Sequence, residues 1–184
     1  MLQGRFVGAA SNGGGGVNAT ATLAQAWETF SLEDINGDAL VSGDSVFIRA
    51  GNGQLFQAVN GGGSTLNAAS NNRLGWETFK IVKQSGGGAI NSGDTVGLQA
   101  SAGTWVSAEN GGGGAVFAYG AALGLWESFV FKTGNSDGGG GTPAPPPPGA
   151  PGDPTSTPGQ PTLPNGRGAT MTFVEYEAES MSST

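Results

Sequence analysis

The sequence predicts an all-β domain assembled from one unit of roughly 50 residues used three times. Three observations carry that expectation. Trp-Glu-Thr/Ser-Phe occurs at Trp27, Trp76 and Trp126, 49 and 50 residues apart. Glycine runs opened by Asn12, Asn60 and Asn110 keep the same order, with spacings of 48 and 50. Ser-Gly-Asp ending at Asp44 recurs at Asp94, 50 residues later. Landmarks that keep one order and one period mark a repeated supersecondary unit.

The second unit is complete and gives the order of elements. SVFIRA (45–50) is rich in β-formers, GNGQ turns, LFQAV extends, NGGGS turns, TLNAAS extends, NNRLG loops, and WETFKIVK closes as a strand. Four short extended runs separated by Gly/Asn turns are the pattern of a barrel or sandwich. No stretch keeps helical periodicity. In the closing strand Phe79 and Ile81 fall on one face, and Trp76, Thr78 and Lys80 on the other. Phe30 with Leu32 and Phe129 with Phe131 repeat the first pair, so these residues are predicted core. Trp105 aligns with Phe6 and Leu55 and is also predicted to be a core position.

The first unit is short. GRFVGA (4–9) aligns with GQLFQA (53–58), and nothing before it matches SVFIRA. The first unit therefore lacks its first strand, and the chain is expected to start inside the domain. After Lys132 the composition changes: the next segment holds all ten prolines. It cannot bury a core and reads as a semi-rigid linker with polyproline II character. ATMTFVEYEAESMSST then alternates as a strand does. The predicted organisation is a β-trefoil over 1–134, a disordered Pro/Gly-rich linker over 135–168, and the opening strand of a truncated second β domain over 169–184. Three four-stranded units are too few for an ordinary propeller and too elaborate for a β-helix coil. Closed round a pseudo-threefold axis they make the trefoil, and closure removes sheet edges.

Composition excludes several functions. Only 11% of the 184 residues are charged and the net charge is −7. The basic residues Arg5, Arg49, Arg73, Lys80, Lys83, Lys132 and Arg167 are scattered, which argues against nucleic acid and against a polybasic membrane surface. No apolar run reaches the length of a membrane helix. Without Cys or His there is no thiol nucleophile, imidazole base or thiolate zinc site. DINGD (34–38) lacks the spacing and the closing Glu of a calcium loop, and no cofactor and no metal are expected. MLQGRFVGAA shows no charged region followed by an apolar core, so it is no signal peptide.

The order SGDxVxLxAxxGxxxxAxNGGGGxxxAxxxxxGxWExF resembles the fascin-like β-trefoil repeat. More narrowly, it is similar to the bacterial trefoils of carbohydrate-binding module family 92. The resemblance covers residues 1–134, three times over. It implies binding of β-glucans, chiefly β-1,3 and β-1,6 linked, at up to three equivalent sites. It also implies the Trp and adjacent Glu of each repeat as binding residues. The tail FVEYEAESM resembles the opening strand of β-sandwich carbohydrate-binding modules attached to secreted glucanases.

The candidate site residues are Trp27, Glu28, Trp76, Glu77, Trp126 and Glu127, with Asn12, Asn60 and Asn110 at the glycine turns as further hydrogen-bonding groups. An indole offers a rigid apolar surface for the C–H face of a sugar, and a carboxylate beside it can accept from two hydroxyls. The same residues have a structural reading. The Trp can plug the barrel end, and the Glu can accept N–H groups of its own loop. Repetition does not separate the two, because a threefold scaffold repeats its structural residues as well. Ser-Gly-Asp reads as a turn, and the Asn-Gly runs as turns needing positive φ rather than a phosphate cradle.

Glycoside hydrolysis needs two carboxylates in different environments across the scissile bond. One carboxylate repeated at equivalent places is the logic of binding, so no catalysis is expected of these residues. The expected protein is a secreted, monomeric polysaccharide-binding module tethered to a catalytic domain. The alternatives are a fascin-like protein-interaction module and a structural trefoil that binds no sugar.

Overall fold

The structure is a computed structural model that describes residues 4–37, 39–133 and 170–178, of which 174–178 by backbone alone. The linker predicted over 135–168 lies outside the described residues. Turn residues fix where strands begin and end, and among the described residues twelve strands result: β1 (Phe6–Ala9), β2 (Val17–Ala21), β3 (Thr29–Asp34), β4 (Ser45–Arg49), β5 (Leu55–Ala58), β6 (Ser64–Ser70), β7 (Phe79–Lys83), β8 (Thr95–Ala100), β9 (Trp105–Ala108), β10 (Val116–Gly120), β11 (Phe129–Thr133) and β12 (Thr170–Ala178).

Their pairings make two layers. The outer strands of the units, with β12 as the sixth member, form a closed ring, β12–β3–β4–β7–β8–β11 and back to β12. The middle strands form three antiparallel hairpins, β1–β2, β5–β6 and β9–β10. Those hairpins meet one another at Gly16 with Asn67, Thr65 with Phe117, and Asn18 with Ala115. A six-stranded barrel closed at one end by three hairpins is a β-trefoil, as the repeats predict.

The barrel is filled by alternate residues of its strands. The repeated pairs Phe30/Leu32, Phe79/Ile81 and Phe129/Phe131 are all buried, together with Val46, Ile48, Val96 and Leu98. Phe56 reaches in from the hairpin layer and meets Phe30 edge-on, with ring centroids 4.9 Å apart. Each such side chain contributes roughly 1.5–3 kcal/mol on burial. Trp105 differs from its predicted place. It stands partly exposed on the outer face of β9 beside Gly97, where the missing side chain leaves room for its ring, and the core position is its neighbour Val106.

Among the described residues the first repeat supplies β1, β2 and β3. The sixth barrel strand is β12, which the sequence assigns to the opening of a second β domain. In this structure it joins the trefoil, pairing parallel with β11, β1 and β3. Met171 and Phe173 supply the buried side chains there, and Phe173 stacks on Phe131 at 4.9 Å.

The Ser-Gly-Asp turns behave as read. Asp44 Oδ2 accepts the N–H of Val41 at 2.6 Å, and Asp94 Oδ2 accepts that of Asn91 at 2.8 Å. Lys83 adds an ion pair to Asp94 at 2.8 Å.

Candidate functional site

Each Trp-Glu-Thr/Ser motif lies in the loop that leads from the third strand of its repeat into the fourth. The three loops close by the same bonds. Oε2 of Glu28, Glu77 and Glu127 accepts the backbone N–H of Gln25, Leu74 and Gly124 respectively, each at 3.1 Å. The next hydroxyl donates to the carbonyl of that same residue: Thr29 to Gln25 at 2.7 Å, Thr78 to Leu74 at 2.9 Å, Ser128 to Gly124 at 2.6 Å. Glu and Thr/Ser thus clamp one peptide residue from both sides, and the loop becomes a tight knuckle.

The tryptophan sits on that knuckle, and it does not plug the barrel. Trp27, Trp76 and Trp126 are 42%, 44% and 44% exposed. Their backbone is fixed even so: the carbonyls of Trp76 and Trp126 accept the N–H of Ala58 and Ala108, both at 2.8 Å. In the second repeat the indole edge lies against the glycine turn. A Cβ on Gly61 would stand 3.5 Å from Trp76 Cδ1 and 2.8 Å from Ser101 Oγ of the next repeat. The turn backbone and Ser101 therefore border the indole. Exposed leucines stand close to each Trp in sequence: Leu23, Leu74 and Leu125.

The carboxylates differ among the repeats. Glu77 is 1% exposed, and its Oε1 accepts from Gln57 Nε2 at 2.7 Å and from Ser70 Oγ at 2.8 Å. With Leu74 on its other oxygen, it is bonded at both ends by protein. The positions of Gln57 and Ser70 are held by Gly8 and Ala21 in the first repeat, and by Ser107 and Gly120 in the third. A Cβ on Gly8 would stand 2.8 Å from Glu28 Oε1, and one on Gly120 2.9 Å from Glu127 Oε1. Those carboxylates therefore lie on bare backbone, are partly exposed, and have no second side-chain clamp. Burial raises the Glu28 pKa above 4.5, against the lowering by the backbone N–H groups of Gln25 and of Glu28 itself.

The three asparagines are not equivalent. Asn60 and Asn110 hold the same left-handed position, φ 60° and 57°, and the residue that matches them in the first repeat is Ser11 at φ 58°. Asn12, at φ 65°, takes the place of Gly61 and Gly111. The true structural spacing is thus 49 and 50, as for the tryptophans, and the spacing of 48 came from aligning Asn12 with Asn60. The side chain of Asn12 packs on Gly51, and its Oδ1 is buried without a partner.

One group was missed by the sequence reading. Glu33, buried on β3, is paired by Arg49 through Nε at 2.6 Å and by Arg73 at 2.5 Å. Arg73 also lies over the Phe47 ring at 5.2 Å. It anchors the loop that carries Trp76. No sequence spacing relates Glu33 to Arg73, so no local signal could have found this pair.

No protein-family model matches the chain, and no curated protein matches it. Among solved structures it is similar to a designed 3-fold symmetric protein, ThreeFoil. The TM-score is 0.49 at 16% identity, over 68% of this chain and 96% of that one.

Proposed function

We propose that the chain is a non-catalytic carbohydrate-binding module that holds polysaccharide at its three tryptophan knuckles. The observation that carries this reading is the half-exposed indole at the same place in all three repeats. Exposing large aromatic surface three times over has no packing reason, since the loops are already closed by Glu and Thr/Ser. A rigid indole bordered by turn backbone and a hydroxyl suits a pyranose ring, which is apolar on one face and polar at its rim.

The resemblance to carbohydrate-binding module family 92 favours β-1,3- or β-1,6-glucan as the polymer, and a secreted glycoside hydrolase as the parent protein. In this reading the glutamates serve chiefly to hold the indoles, and only Glu28 and Glu127 have carboxylate left for sugar hydroxyls. A fascin-like interaction module or a structural trefoil would not need the exposed indoles.

The test is retardation in native gels cast with β-1,3-glucan, β-1,6-glucan, α-glucan, xylan or a soluble chitin derivative. The expected result is retardation by a β-glucan, reduced by Trp76→Ala and abolished by the Trp27/Trp76/Trp126 triple alanine variant while circular dichroism stays native. No retardation by any polymer would return the protein to the interaction-module reading.

A further inference from the structure

The third repeat differs from the other two on the outer face of its hairpin. β10 turns Phe117 and Tyr119 outward, between the buried Val116, Ala118 and Gly120. The matching residues are Asn18 and Thr20 on β2, and Asn67 and Ala69 on β6. Of the three hairpins, the third alone carries aromatic rings at these places. The two ring centroids lie 5.3 Å apart, with the planes tilted by 33°. Phe117 is partly covered and Tyr119 is 42% exposed. Phe117 thus backs Tyr119 and holds its ring out to solvent, which the packing of the hairpin does not require.

This pair is continuous with the third knuckle. Phe117 is the cross-strand partner of Ser107. The residue after Ser107 is Ala108, whose N–H donates to the carbonyl of Trp126 at 2.8 Å. Tyr119 precedes Gly120, and the Glu127 side chain lies on the Gly120 backbone. The strip beside the rings is polar. Ser107 stands where Gln57 donates to Glu77 in the second repeat, but its side chain is too short to do the same. Its hydroxyl is buried with no hydrogen-bond partner, and Oε1 of Glu127 has no side chain in the place of Gln57. Two apolar platforms with unpartnered oxygens beside them suit two consecutive pyranose rings. The C–H faces of the sugars stack on the rings, and their hydroxyls bond to the oxygens.

We infer that Tyr119, backed by Phe117, is a second platform of the third site, which takes two consecutive units of a β-linked glucan where the other two sites take one. The inference rests on the carbohydrate reading of Trp126 and extends it along the chain of the polymer. One unit stacks on Trp126, the next stacks on Tyr119, and a hydroxyl near the linkage donates to Oε1 of Glu127. The other repeats lack the parts for this. The first has Asn18 and Thr20 in place of the rings. The second has Asn67 and Ala69, and its Glu77 is already bonded at both ends by protein. The three sites are therefore unequal, and the third is the tightest.

The test follows the indole N–H signals of Trp27, Trp76 and Trp126 by NMR while sugars are titrated into the full chain. The sugars are glucose and its β-1,3- and β-1,6-linked disaccharides. At Trp126 one disaccharide should bind about three- to tenfold more tightly than glucose, the worth of one further aromatic contact. Trp27 and Trp76 should show no such gain. Nuclear Overhauser contacts should join the sugar C–H protons to the Tyr119 ring as well as to Trp126. Tyr119→Ala installs the second repeat's residue at an exposed site. It should abolish the gain, so that disaccharide and glucose bind alike at Trp126, and Tyr119→Phe should keep it. Equal gains at all three tryptophans would overturn the inference and leave the carbohydrate reading standing. So would a gain that survives Tyr119→Ala, or sugar bound at Trp126 without contact to Tyr119. If no indole signal moves with any of the sugars, the inference falls, and the gel retardation described above decides whether the carbohydrate reading falls with it.

Discussion

At the scale of single residues, the Trp-Glu-Thr/Ser motif divides its labour. Glu77 and Thr78 build the knuckle and Trp76 is what the knuckle displays, so stability and binding should separate on mutation. Glu77→Ala strips partners from Gln57, Ser70 and the Leu74 amide, and leaving such groups buried and unpaired costs about 2–3 kcal/mol. Trp76→Ala, at a half-exposed site, should cost about 1 kcal/mol or less in urea unfolding yet remove one of the three proposed binding platforms. Equal stability losses for the two variants would refute the division. Glu28 gives a pH signature. Its folded pKa is raised, chiefly by burial, so its contribution to stability is fully present below the unfolded pKa. That contribution is lost as pH rises from 4.5 upward through the folded value. Glu28→Gln removes the titration. Relative to the wild type it should gain stability between pH 4 and pH 7, measured by urea unfolding at both, and a constant difference would contradict the burial of this carboxyl.

At the scale of elements, the sequence exposed some features and hid others for identifiable reasons. The Phe-plus-aliphatic pairs of β3, β7 and β11 were legible because alternation assigns faces. The glycine turns were legible as positive-φ turns, but their register was not. Ser11 stands where the other repeats have Asn60 and Asn110, and a reader aligning like with like takes Asn12 instead. Ser at φ 58° is strained in a way glycine is not. Ser11→Gly should therefore raise stability by roughly 0.5–1 kcal/mol after the entropy of the added glycine is subtracted. A decrease on thermal melting would show that the Ser11 side chain is held by more than its turn. Trp105 was misplaced because its environment depends on Gly97 in another strand, which no local pattern reports. The direction of β12 was hidden more deeply. A period of two reads the same forwards and backwards, so alternation at Met171 and Phe173 identifies a strand and says nothing of its sense.

At the scale of the whole molecule, threefold closure sets three indoles around one rigid barrel, and under the proposed carbohydrate-binding function this arrangement decides what kind of ligand is held well. A single shallow platform offers one stacked ring and a few hydrogen bonds, barely more than the freedom lost on binding. Once one knuckle has a long chain or a branch, the others meet it at an effective concentration fixed by the barrel, and avidity can exceed a single affinity by about 10²–10⁴. Weak binding of tri- and tetrasaccharides, with firm retention on insoluble β-glucan, is therefore the expected pattern. Removing tryptophans one at a time should leave the oligosaccharide constant of each surviving platform unchanged, while retention on polymer falls steeply with the first loss and to background with the third. The measurement is titration calorimetry with oligosaccharides beside a pull-down isotherm on the particulate glucan. If the isotherm and the calorimetric constant agree within a few-fold, the platforms act one at a time and the threefold arrangement serves the fold alone. If they differ by orders of magnitude, the repetition that first marked this sequence is what makes it an adhesive surface.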